Sequence, residues 1–202
     1  MKYLGILFLL YKCLIPSANA TTLLQIDTMQ LANEAALVFE AEVVFTQVDY
    51  IPGGYIYTLV DFFITDVLQG ELLSGQIITM RFTGGVVDNL KLDIGSRIPV
   101  LHERGIYFVE APHSQLANPL LGWSQGHFII QSDGTLLAGN DQLVVDVKPA
   151  INKAEAMSQG IASGIKTVPK GDVDTKNSRE SGLRPMSVDK FKRLIKNLKQ
   201  RK

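Results

Sequence analysis

Between Tyr55 and Leu68 apolar and polar side chains alternate, with Ile56, Val60, Phe62, Ile64 and Leu68 on one face and Tyr57, Asp61 and Thr65 on the other. A period of two belongs to a strand with one face buried, because successive side chains of an extended chain point to opposite sides. A Val- and Phe-rich run, Leu37 to about Val48, precedes it, and Ile51-Pro52-Gly53-Gly54 between the two is a turn signal. The pair predicts a long β-hairpin.

Further strands are expected over Gln76 to Phe82, Gly105 to Glu110, His127 to Gln131, Thr135 to Ala138 and Gln142 to Val147. Ser132-Asp133-Gly134 marks a tight hairpin between two of them. A short helix is expected over residues 28–36, capped by Thr28 or Asp27. Residues 86–104, with Asp88-Asn89, Asp93, Gly95 and Pro99, read as an excursion loop. No long helical pattern separates the strands, so a parallel βαβ architecture is disfavoured. The expected fold is mainly β, a small antiparallel Greek-key barrel of the oligonucleotide/oligosaccharide-binding (OB) type, with a two-sheet β-sandwich as the alternative.

The first twenty residues read as a cleavable secretory signal: Lys2, an apolar run from Tyr3 to Tyr11, and the small-x-small end Ala18-Asn19-Ala20. The apolar run is too short to span a bilayer, which needs roughly 20 residues. The competing reading is an N-terminal membrane anchor, and Lys12 sits awkwardly for a signal. Lipoprotein processing is disfavoured because Tyr11-Lys12 precedes Cys13. Cys13 is the single cysteine, so a chain starting at Thr21 holds neither a disulfide nor a thiolate metal site. Small secreted domains short of core lean on disulfides; this one must be stable through packing alone. The expected organisation is a signal over 1–20, a β-barrel domain over 21–150, a flexible linker over 151–185 and a basic amphipathic helix over 186–202, exported to a bacterial periplasm or the medium.

Charge is segregated along the chain. Without Lys2 and Lys12 there are 18 basic and 20 acidic residues, a net of −2. From Arg184 onward eight basic residues face one acid, Asp189, for +7, and residues 21–183 carry 10 basic and 19 acidic residues, for −9. An acidic body argues against nucleic-acid binding, which needs a basic face on the folded domain. In the tail Val188, Phe191, Leu194, Ile195 and Leu198 form one helical stripe behind a Ser187 cap. Opposite charge favours docking of this helix on the acidic domain, although screening limits attraction beyond roughly 10 Å. Weak contact with an anionic membrane surface is the second expectation, and a partner protein or a free tail the third.

Each catalytic motif fails on inspection. Gly122-Trp123-Ser124-Gln125-Gly126 fits G-x-S-x-G, but it leads into a strand and His127 is the last histidine, so no base follows as that motif requires. The expected role is a structural turn with Trp123 packed over the barrel. His102-Glu103 begins like H-E-x-x-H, yet position 106 is Ile. His102, His113 and His127 read as separate surface or edge residues rather than a zinc set. Thr83-Gly84-Gly85 lacks the lysine of a phosphate loop and reads as a strand-ending bend. No catalytic, metal-binding or cofactor-binding residue is assigned, and no cofactor is expected.

Several residues nevertheless form a familiar order. Leu31 to Phe39 running into Glu42-Val43-Val44, Gly54-Tyr-Ile-Tyr-Thr58, Phe62-x-Ile64 with Leu68-x-Gly70, Gly84-Gly85, Ile98-Pro99, Gly105-Ile-Tyr-Phe-Val109 and Pro119-Leu-x-Gly-Trp-x-Gln-Gly-x-Phe128 stand in sequence. The order resembles a group of uncharacterised exported bacterial proteins with a barrel similar to that of the tissue inhibitors of metalloproteinases. It covers about residues 22–148, and Met186-Ser-x-x-x-Phe191 resembles the closing helix of that group. The resemblance implies an OB-like barrel. Arg104-Gly105 stands where the group has Gly-Glu. The inhibitors chelate the protease zinc through an N-terminal cysteine, and Thr21 has none to offer.

The expected function is therefore an exported, non-enzymatic binding module for an unknown protein or envelope component, with a secreted hydrolase as the alternative. Its binding surface is expected on Val86 to Arg104 and Ala111 to Asn118, since loops carry function more often than strands. Export is checked by intact mass: the secreted chain should begin at Thr21, and Ala20→Phe should leave the uncut precursor. A wild-type chain that keeps Met1 in the membrane fraction would replace the signal with an anchor.

Overall fold

A computed structural model describes residues 28–51, 53–110, 116–147, 165–168 and 183–199. The expected signal, Thr21, His113, Ala111 and most of the 151–185 linker lie outside these residues. Helix α1 (Thr28–Glu34) leads into β1 (Leu37–Ile51), which turns at Gly53-Gly54, at φ 118° and 103°, into β2 (Tyr55–Gln69). Then follow β3 (Ile77–Thr83), the short β4 (Gly85–Val87) and β5 (Leu90–Leu92), and β6 (Arg104–Val109). A 3-10 turn (Trp123–Gly126) opens β7 (His127–Ile130), and β8 (Leu136–Ala138) and β9 (Leu143–Val147) complete the meander. Two strands of the expected linker, β10 (Ile165–Val168) and β11 (Leu183–Pro185), both pair with β9, and α2 (Val188–Lys199) ends the described chain. The linker is thus not structureless: Ile165, Thr167 and Val168 are β-branched and favour a strand within a polar segment.

One antiparallel sheet runs β10-β9-β8-β7-β6-β1-β2-β3, with β11 also on β9, and β4 and β5 form a separate two-stranded ribbon. The expected closed barrel does not form, nor do the two packed sheets of the sandwich alternative. Closure needs a strand on the outer edge of β3, but the Thr83 N–H at that edge goes to Ala117 O at 2.7 Å, and at the other end β10 and β11 both attach to β9. The sheet still curls. Register shifts at Val38/Phe39, Glu40/Ala41 and Val43/Phe45 bend β1. Phe62 of β2 and Tyr107 of β6 meet edge to face with centroids 4.8 Å apart, although β1 lies between their strands, which a flat sheet would hold roughly 9–10 Å apart. The register of β6 is settled by Glu42 opposite Arg104, whose guanidinium pairs with Glu40 at 3.0 Å.

Both faces of the central strands are buried. On the concave face Phe39, Val43, Phe62, Phe82, Tyr107 and Val109 form one core. On the other, Val38, Ile106, Phe108 and Phe128 meet Leu31 and Ala35 of α1 and Phe191 and Ile195 of α2. The tail helix is therefore docked, and its apolar stripe is part of the core. Charge completes the docking: Lys192 sits 2.7 Å from Glu40 and 2.6 Å from Asp66, Lys196 lies 3.3 Å from Asp66, and Lys190 binds Asp146. Burial opposes charge on Asp66, but Lys192 and Lys196 outweigh it and hold its carboxyl below the usual range; burial likewise opposes charge on Lys192, and Asp66 and Glu40 push it up.

Phe191 is fully buried with ring centroids 4.8 Å from Phe128 and 6.3 Å from Phe108. Phe191→Ala should cost about 3–5 kcal/mol in urea denaturation. Hydrogen exchange in plain buffer should show protected amides from Leu194 to Leu198; free exchange there, with protection only on adding anionic vesicles, would mean the helix is not docked in solution.

Candidate functional site

Beyond Val43 the β1–β2 hairpin leaves the helix-covered part of the sheet and carries apolar side chains into solvent: Val44, Phe45, Val48, Tyr50, Ile51 and Tyr55 are all exposed. The expected excursion loop folds back onto this hairpin and contains structure of its own. Val87 pairs with Leu90 across Asp88-Asn89, and Asp88 adopts φ 50°, so a two-residue turn builds the β4–β5 ribbon. On one side Gly84 N–H donates to Ile56 O and Thr58 Oγ to Gly84 O, each at 2.8 Å. Gly85 lies so close to Val48 that a Cβ there would stand 2.7 Å from its Cγ1. On the other side the turn Val100-Leu101-His102 lies beside β1, with His102 N–H on Val43 O at 2.9 Å. Val86, Leu90, Val100 and Leu101 are each about half exposed or more, and they extend the apolar surface of the hairpin.

A buried polar network ties down the root of the excursion. Glu103, just before β6, accepts from His127 Nε2 at 2.7 Å and from Tyr107 Oη at 3.3 Å on Oε1, and from Arg97 at 3.1 Å on Oε2. The other arm of Arg97 reaches Asp141 at 3.1 Å, and its backbone N–H donates to Ser124 Oγ at 3.2 Å. Side chains of Glu103 and His127 are 4% and 0% exposed. Burial alone would raise the Glu103 carboxyl, but the His127 bond and charge, followed by Arg97, hold it below the ordinary range. Burial and the Glu103 charge push the Tyr107 phenol well above its usual value. Local packing requires glycine twice: a Cβ at Gly139 would stand 2.3 Å from Ser124 O, and one at Gly105 would stand 2.8 Å from the Tyr107 ring.

The expected histidine placement needs correction for His127, which is not at the surface but fully enclosed, because Glu103 satisfies its Nε2 inside the core. His102 is exposed, as read, and points toward Glu42. The two rejected motifs thus meet in space: Glu103 of the incomplete H-E-x-x-H touches the histidine that follows G-x-S-x-G. Ser124 heads no relay, since its hydroxyl takes the Arg97 N–H and His127 Nδ1 has no hydrogen-bond partner among the described residues. Arg97 escaped the sequence reading, and Glu103 entered it only as part of an incomplete metal motif; the available signal was a carboxylate directly before a strand that is apolar after Arg104. Among the described residues no group of three or more His, Cys, Asp or Glu side chains is placed to hold a metal, and no helix is long and apolar enough to cross a membrane. Comparison with protein-family models, with curated proteins and with solved structures finds no match.

Glu103→Gln should remove the buried carboxylate on which His127, Tyr107 and Arg97 converge and cost about 3 kcal/mol near neutral pH. Because the native carboxyl titrates below its ordinary value of 4.5, its contribution is complete above that pH and is lost as pH falls through the lowered native value. The gap between wild type and Glu103→Gln in thermal denaturation should therefore close only below about pH 4.5. A gap independent of pH would show that the pair contributes packing alone.

Proposed function

We propose that this chain is an exported, non-enzymatic binding module that docks a protein or envelope component on the surface shared by the β1–β2 hairpin and the 86–104 excursion. The observation that carries the reading is the run of exposed apolar side chains from Val86 and Leu90 across the hairpin to Val100 and Leu101, held on a scaffold anchored by Arg97 and Glu103. Continuous apolar patches on a folded domain mark interaction sites more often than chance exposure. The signal-like N-terminus supports export. The OB-like, Greek-key kinship belongs to the same proposal: the order β6-β1-β2-β3, with β6 returning beside β1 after a long connection, supports it, as do the bent opening hairpin and the closing helix. Weak membrane contact through α2 would have to use outward charges such as Arg193, since the apolar stripe faces the core.

A photo-crosslinking amino acid at Leu101 or Leu90, in the cell that exports the protein, should give a discrete adduct that is absent when the probe sits at Asn197 on the outer side of α2. Equal labelling from all three positions, or none, would overturn the proposed surface. Esterase or peptidase activity of the purified chain that disappears in Ser124→Ala would replace the binding module with the hydrolase alternative.

A further inference from the structure

Among the described residues, the far half of β1 has an open side. β6 stops pairing at Glu42 opposite Arg104, and the last contact along that edge is Val43, whose N–H donates to Glu103 O and whose carbonyl accepts from His102, both at 2.9 Å. The ladder determines which groups beyond Val43 face outward. Thr83 N–H points away from β2, so its partner Tyr57 turns its own N–H and carbonyl toward β1, where it faces Asp49. Asp61, four residues further on, stands in the same phase opposite Phe45. Phe45, Gln47 and Asp49 therefore bond to β2, and Thr46, Val48 and Tyr50 present N–H and carbonyl groups to the open side. No described residue makes a backbone bond to them there.

Donors and acceptors at this two-residue spacing are matched by an extended polypeptide. We propose that the occupant is the same edge of a second copy of this chain, paired antiparallel about a two-fold axis through Val48. In that register Val48 faces Val48 of the second copy and Thr46 faces Tyr50, as hydrogen-bonded pairs. Between them Phe45 meets Ile51, and Gln47 meets Asp49. Val48 falls opposite Val48 and Phe45 opposite Ile51, and the Gln47 amide, which already donates to Asp49 of its own strand at 2.9 Å, gains a second carboxylate within reach. Neighbouring registers fail this match. A shift one way sets Asp49 against Asp49 of the second copy, and a shift the other way sets Asp49 against Phe45. The pairing also covers Phe45, Val48, Tyr50 and Ile51, apolar side chains that are 36–49% exposed in the single chain. An isologous contact of this kind closes on itself and does not propagate. The outer edge of β3 lacks this freedom at Thr83, whose N–H is already taken by Ala117.

The proposal rests on the reading of the hairpin as an interaction surface, and it names what covers its edge. Sedimentation velocity of the full chain at micromolar concentration should show a dimer. Val48→Pro removes an outward N–H that no described residue uses, and Val48→Lys sets two cations face to face at the axis; both should sediment as monomers with unchanged circular dichroism. Ile77→Lys, on the β3 edge, should remain a dimer. Should Val48→Pro fail to fold, Val48→Lys gives the same reading. A monomeric wild type, or a dimer that persists in the folded Val48 variants, overturns the proposal. Adducts from Leu101 with a different protein would sustain the functional reading even then, so the two fail separately.

Discussion

Glu103 is the joint on which the arrangement turns. Its carboxylate is almost fully buried, and a buried charge persists only when paired and hydrogen-bonded. It draws its partners from three separate segments: Arg97 from the excursion, Tyr107 from β6 and His127 from β7. Satisfying one carboxylate therefore sets where the excursion ends, where β6 begins and how the 3-10 turn enters β7. Removal of any one partner leaves the buried carboxylate short of a hydrogen bond, so the four side chains act as a unit. The exposed apolar turn Val100-Leu101 is separated from Glu103 by His102 alone and inherits its position from the network.

Much of the sheet was legible in the sequence because its strands are marked by local signals. Alternation around Val60 and Phe62, the Gly53-Gly54 turn and Ser132-Asp133-Gly134 all act over a few residues, and the strands they imply are present. Closure is a long-range property, and no local pattern tells whether β3 will find a strand at its free edge. The loop reading of 86–104 missed the small ribbon within it because β4 and β5 are three residues each, too short for a period to declare itself. His127 could not be placed from sequence because its burial depends on Glu103, twenty-four residues away, and His102-Glu103 was weighed as a metal motif, in which Glu103 had no reason to be inside.

The tail illustrates how a charge average conceals structure. Net charge near zero arises from −9 and +7 in separate segments, and the docked helix brings these into contact at named pairs. Lys192 bridges Glu40 on β1 and Asp66 on β2, so α2 clamps two neighbouring strands from outside the sheet. Partly exposed ion pairs contribute little individually. Burial of Phe191 and Ile195 supplies the larger share, and the lysines choose which way the helix lies. Without α2, Ile106, Phe108 and Phe128 would face water on that side, so the acidic domain of the sequence and its basic tail form one folding unit.

Backbone strain gathers at the same place as the buried charge. Four non-glycine residues have positive φ among those described, and three of them flank the network: His102 precedes Glu103, Trp123 precedes Ser124, and Asp141 binds Arg97. Each left-handed residue costs roughly 1–2 kcal/mol against an ordinary conformation. Such outliers persist only where the surroundings over-determine them. Here the surroundings are known: the Glu103 pairings hold the 102–103 step, Gly139 admits the Ser124 backbone at a distance no other residue allows, and the Arg97 fork holds Asp141. The strain is thus the cost of bringing three turns together around one carboxylate. The network reaches the core through Tyr107, whose ring packs on Phe39 and Phe62 while its hydroxyl donates to Glu103. What the network adds is a fixed root for an apolar turn that points away from the core.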